Sequence, residues 1–99
     1  MNYFFIKLIP PRPTFHLDMS DRERLIMQEH AVYLKRLQEQ GIVPVYGPVL
    51  DPQGAWGLGI IAAETEELAR SFMDNDPTVK AHLNKYEIAP MNVIMKQNA

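Results

Sequence analysis

Ser20-Asp21-Arg22-Glu23-Arg24-Leu25-Ile26-Met27-Gln28-Glu29-His30-Ala31-Val32-Tyr33-Leu34-Lys35-Arg36-Leu37-Gln38-Glu39-Gln40 is the stretch whose reading decides the fold. Ser20 and Glu23 form a capping box, in which the side chain of each accepts the backbone N–H of the other. Ile26, Met27, His30, Tyr33, Leu34 and Leu37 then share one face at the 3.6-residue period. Glu29, Lys35, Arg36 and Glu39 keep the opposite face wet. Gly41 suits the left-handed position that ends a helix. The segment is therefore a helix from Ser20 to Gln40 with a single apolar stripe. His30 sits in the middle of that stripe. It is either a buried histidine with both ring nitrogens satisfied, or a general base or ligand contact.

Upstream, Asn2 to Ile9 reads as a strand with Phe4, Ile6 and Leu8 on one face. Tyr3, Phe5 and Ile9 take the other face, with Lys7 among them. Pro10, Pro11 and Pro13 end it, because proline cannot donate to a ladder. Pro10 to Met19 is expected as an extended loop carrying Arg12, Phe15 and His16. Arg12, held between prolines, is a candidate anion contact.

Downstream, Ile42 to Leu50 is a second strand, with Pro44 at an edge or bulge. Tyr46-Gly47-Pro48 interrupts it, and Gly47 would let a ligand or another backbone come close. Asp51-Pro52-Gln53-Gly54 is a type I turn, leading to a strand from Ala55 to Ala63. Trp56, Leu58, Ile60 and Ala62 take one face of it; Gly57, Gly59 and Ile61 take the other. Thr65 caps a second helix with Leu68, Ala69, Phe72 and Met73 on its buried side. Asp76-Pro77 starts a helical turn reaching Leu83. Lys85 to Met95 is the last strand, and Lys96 to Ala99 a loose tail.

The order β-α-β-β-α-β is the split-βαβ, ferredoxin-like pattern. It gives an α+β fold: a four-stranded antiparallel sheet with two helices on one face. Ninety-nine residues make one domain, residues 1–99. Two helices cover one sheet face, yet the strands are apolar on both. A bare apolar face in water is expected to pair, so we expect a homodimer through the sheet face, as in dimeric α+β barrels.

Net charge is −2 and no basic stripe occurs, which argues against nucleic acid. The N-terminal apolar run is too short for a signal sequence or a span, so no membrane association is expected. With no cysteine there is no disulfide, thiolate nucleophile or Cys-based metal site, and a reducing cytoplasmic location fits. The histidines are not at metal-ligand spacing, so no metal is expected. No glycine-rich phosphate loop opens a helix, and Ser20 and Ser71 read as a cap and a surface residue. His30 and Asp76 remain as the catalytic candidates, with Arg12, Tyr46, Gly47 and Pro48 as substrate contacts and His16 and His82 as lesser ones. An aspartate accepting from one imidazole nitrogen would fix the tautomer of the ring. On local grounds alone, Asp76 reads first as a plain helix cap.

Several short pieces, in this order and spacing, resemble the YciI-like (YCII-related) family. They are the Phe-rich first strand, Met27-x-x-His30-x-x-Tyr33-Leu34, Gly41-Ile42, Tyr46-Gly47-Pro48, Glu66-Glu67-x-Ala69-Arg70, Asp76-Pro77 and Ile88-x-Pro90. The resemblance implies a dimeric α+β barrel with a His/Asp active-site pair at His30 and Asp76. A chlorinated-hydroquinone dehydrochlorinase belongs to that family, and muconolactone isomerase shares the fold. Thr78 departs from the aromatic residue often found there, which bears on the pocket wall. The implied activity is cofactor-free acid-base chemistry on a small oxygenated, cyclic or aromatic-derived substrate. The competing class is a non-catalytic dimeric module that binds a small molecule.

Overall fold

Alternation in the first strand sets the geometry of the sheet. In the computed structural model, which describes residues 1–94, β1 (Asn2–Ile9) buries Phe4, Ile6 and Leu8. It lies centrally in an antiparallel sheet of order β2-β3-β1-β4, with β2 Val45–Val49, β3 Trp56–Ala63 and β4 Lys85–Met91. Cross-strand pairing places Ile61, Gly59 and Gly57 beside Phe4, Ile6 and Leu8. Tyr46 and Pro48 lie beside Gly59 and Gly57, and Ile88 and Tyr86 beside Ile6 and Leu8. All of these belong to the helix-covered face.

The short helix α1 (Phe15–Asp18) stands where an extended loop was expected. Its Phe15 is buried against the cavity, and its turn is closed by Leu17 N–H to Thr14 carbonyl at 2.8 Å. The main helix α2 (Asp21–Glu39) starts at the predicted capping box. It ends with Gly41 at φ 77°. Gly41 N–H reaches Gln38 carbonyl, and Ile42 N–H reaches Leu37 carbonyl at 2.8 Å. These are the paired bonds of a Schellman end.

That ending explains why β2 begins at Val45 rather than Ile42. The N–H groups of Ile42 and Val43 both serve Leu37 carbonyl, and Pro44 has none. Tyr46-Gly47-Pro48 does not interrupt the strand but forms its paired centre. Pro48 is tolerated because β2 is an edge strand.

Helix α3 (Glu66–Asp74) is capped by Thr65. Ala69, Phe72 and Met73 pack on the core, while Leu68, expected with them, is 42% exposed. Helix α4 (Pro77–Lys80) is one turn. β4 stops at Met91, where its partner Tyr3 nears the start of β1. Its predicted extension is therefore absent through Ile94; Met95 and the tail from Lys96 to Ala99 lie outside the described residues.

Candidate active site

His30 Nδ1 lies 2.7 Å from Asp76 Oδ2, joining α2 to the start of α4. Asp76 is fully buried, and 12% of the His30 side chain is exposed. A carboxylate taken out of water needs its oxygens filled. Oδ1 accepts from both the backbone N–H and the hydroxyl of Thr78, each at 2.8 Å. Oδ2 accepts from His30. Capping the helix and holding the histidine are thus shared between the two oxygens of one carboxylate. A carboxylate can only accept, so a neutral imidazole paired with one carries its proton on Nδ1 and its lone pair on Nε2.

Tyr33, one turn along α2, donates its hydroxyl to Phe72 carbonyl at 2.6 Å. This ties α2 to α3 beside the pair. Burial, and then the nearby charge of Asp76, push the Tyr33 hydroxyl above its ordinary value, so it stays a donor.

His30 borders a cavity of about 390 Å³ between α2 and the β2–β3 half of the sheet. Met27, His30, Ala31 and Leu34 come from the helix; Tyr46, Gly47 and Pro48 from β2; Pro10, Phe15, His16 and Met19 from the α1 segment. Its floor is open because Gly57 and Gly59 have no side chains on the helix face. A Cβ at Gly57 would stand 3.2 Å from Leu8 Cβ. Among the described residues, those lining the cavity include no Asp, Glu, Lys or Arg.

The predicted site residues divide accordingly. His30, Tyr46, Gly47 and Pro48 line the cavity, and Asp76 stands behind His30. A Cβ at Gly47 would meet nothing within 4 Å among the described residues, so no neighbouring backbone requires a glycine there. Arg12 is outside the lining. Its guanidinium bonds Asp18 Oδ1 at 2.7 Å and Glu23 Oε1 and Oε2 at 2.8 and 3.0 Å, fastening the α1 segment to the start of α2. These bonds, with the Ser20 N–H, hold the Glu23 carboxyl down at about 2. Thr78 is not a wall residue either; it is buried and holds Asp76. His16 lines the cavity, whereas His82 is exposed and outside it.

Two features escaped the sequence reading. Gly57 and Gly59 were legible as alternate small residues on one strand face, the signature of a hollow. Asn84, which lines the cavity, had no local signal.

Fold and site together define a ferredoxin-like α+β protein with a histidine on the wall of an apolar cavity, backed by a buried carboxylate. The chain belongs to the YCII-related domain family, whose profile matches residues 3–92. Among solved structures it is similar to 5-chloro-2-hydroxyhydroquinone dehydrochlorinase (TftG) from Burkholderia phenoliruptrix AC1100, solved in complex with 2,5-dihydroxybenzoquinone. Identity is 21%, over 90% of this chain and 93% of that one, with a TM-score of 0.60. It is also similar to a de novo designed protein with a ferredoxin fold, at 12% identity, 99% and 90% coverage and a TM-score of 0.44. Comparison with curated proteins gave no match.

Proposed function

We propose that the chain is a cofactor-free enzyme using His30 for acid-base chemistry on a small oxygenated ring compound. The observation that carries this is the 2.7 Å His30–Asp76 bond at the wall of an apolar cavity. Nε2 takes a proton from an O–H or C–H of the substrate. In an elimination, the electron pair left behind forms a new double bond and a leaving group departs with its own pair. In an isomerisation, Nε2 returns the proton to another carbon. Asp76 orients the ring and balances the imidazolium formed. The apolar lining keeps water from competing. Tyr46, Gly47 and Pro48 would contact the substrate. TftG acts on a chlorinated hydroxyhydroquinone, and a hydroxylated ring of that kind is the substrate class we assign here.

The working unit in this reading is a cytoplasmic homodimer. Phe5, Leu58, Ile60, Val45 and Val49 share the sheet face opposite the core, and sheet-on-sheet pairing would cover them. The test is turnover of hydroxylated and chlorinated hydroquinones by wild type and His30→Gln. Loss of turnover with retained binding supports the base. Equal rates would overturn His30 as the base, and binding with no turnover by wild type would leave a small-molecule-binding module instead.

A further inference from the structure

Asn84 is 5% exposed and lines the same cavity as His30. Its side-chain oxygen is buried and has no hydrogen-bond partner among the described residues. Its amide nitrogen faces Met27 Sδ at 4.0 Å, a weak acceptor that leaves the oxygen as the unsatisfied end. Met27 precedes His30 by three residues, so the two are neighbours on one helix face. Thr78 positions both polar groups. Its carbonyl accepts the Asn84 N–H at 3.1 Å, while its N–H and hydroxyl hold Asp76.

We propose that Asn84 is a second polar anchor of the cavity, its Oδ1 accepting a hydrogen bond from a ligand hydroxyl. This rests on the reading of the cavity as a substrate site and adds the group that selects the substrate. An unpaired buried oxygen destabilises the free protein, and a donor on the ligand satisfies it. Among the described residues, the lining offers no Lys or Arg to a carboxylate or phosphate. The ligand matched to this site is therefore uncharged and hydroxylated, with one O–H at Asn84 and the reacting proton at His30.

The test compares wild type with Asn84→Leu, which keeps the volume and removes the polar atoms. The probes are hydroquinone, 4-methoxyphenol and 1,4-dimethoxybenzene, titrated by NMR alongside a melting curve. Asn84→Leu is expected to weaken hydroquinone about tenfold and leave 1,4-dimethoxybenzene within about twofold, with Tm unchanged or higher. Equal hydroquinone binding by both proteins would overturn the proposal. So would equal loss of all probes with a lower Tm, or a wild type that does not prefer hydroquinone or binds none of the three. Because the readout is binding, the two readings fail separately. Asn84-dependent binding without turnover removes the enzyme and keeps the anchor. Turnover with binding indifferent to Asn84 does the reverse.

Discussion

His30 and Asp76 meet at 2.7 Å although 46 residues separate them, and the oxygen of Asp76 not used by His30 is filled twice by Thr78. The carboxylate is thereby fixed before any ligand arrives, and it fixes the imidazole in turn. A base held this way needs little reorganisation to accept a proton. In the proposed mechanism Asp76 has a structural and a chemical role at once, so substitutions must be chosen to separate them.

Asp76→Asn separates them. The amide oxygen still accepts from Thr78, so the cap survives. The amide nitrogen then donates to His30 Nδ1, moving the ring proton to Nε2 and removing its lone pair. Turnover is expected to fall roughly 10²–10⁴-fold with the fold retained. Steady-state kinetics report the first effect, and nitrogen NMR of the ring reports the tautomer.

Thr78→Val removes one donor from a buried carboxylate while keeping the volume and the backbone N–H. The expected cost is about 1–3 kcal/mol of stability, read from the urea midpoint. If the midpoint does not move, the hydroxyl does not support Asp76.

Glu23 predicts an acid limb in stability. Its folded value, about 2, lies below its ordinary 4.5. Its contribution is therefore fully present above pH 4.5 and is lost as pH falls toward 2. Asp18 is shifted the same way, by the Thr14 hydroxyl and then Arg12. Melting curves of wild type should drop more steeply across this window than those of Glu23→Gln. Parallel curves would mean that the Arg12 cluster contributes nothing measurable.

Gly59→Val fills the cavity from below. A Cβ there stands 3.9 Å from Ile6 and 4.0 Å from Tyr46, ordinary contact, and valine suits a strand better than glycine. Stability is expected to rise by about 0.5–1 kcal/mol while ligand binding is lost. A stable variant that still binds hydroxylated rings would place the ligand elsewhere.

Ile60→Lys puts a charge on the open sheet face. If two chains pair through that face, sedimentation should give twice the chain mass for wild type and a folded monomer for the variant. A monomeric wild type removes the homodimer.

The sequence by itself determined the local structure. Capping boxes, prolines and periodicity are read over a few residues, so β1, both ends of α2, the Thr65 cap and the Asp51–Gly54 turn, with Gly54 N–H on Asp51 carbonyl at 2.9 Å, all stand where predicted. The element order also sufficed for the ferredoxin-like topology, because split-βαβ connections leave few ways to pair four strands. Short elements were harder. Helix α1 depends on burying Phe15, a distant contact that overrides a proline-rich stretch. Tertiary structure alone decided the site. Two residues as remote as His30 and Asp76 become neighbours only when α2 and α4 pack together. It also decided that Arg12 serves Glu23 and Asp18, and that Thr78 serves Asp76. The oxygen of Asn84, unpaired among the described residues, is likewise a tertiary fact, since burial and the absence of a partner are properties of packing, which no local pattern encodes.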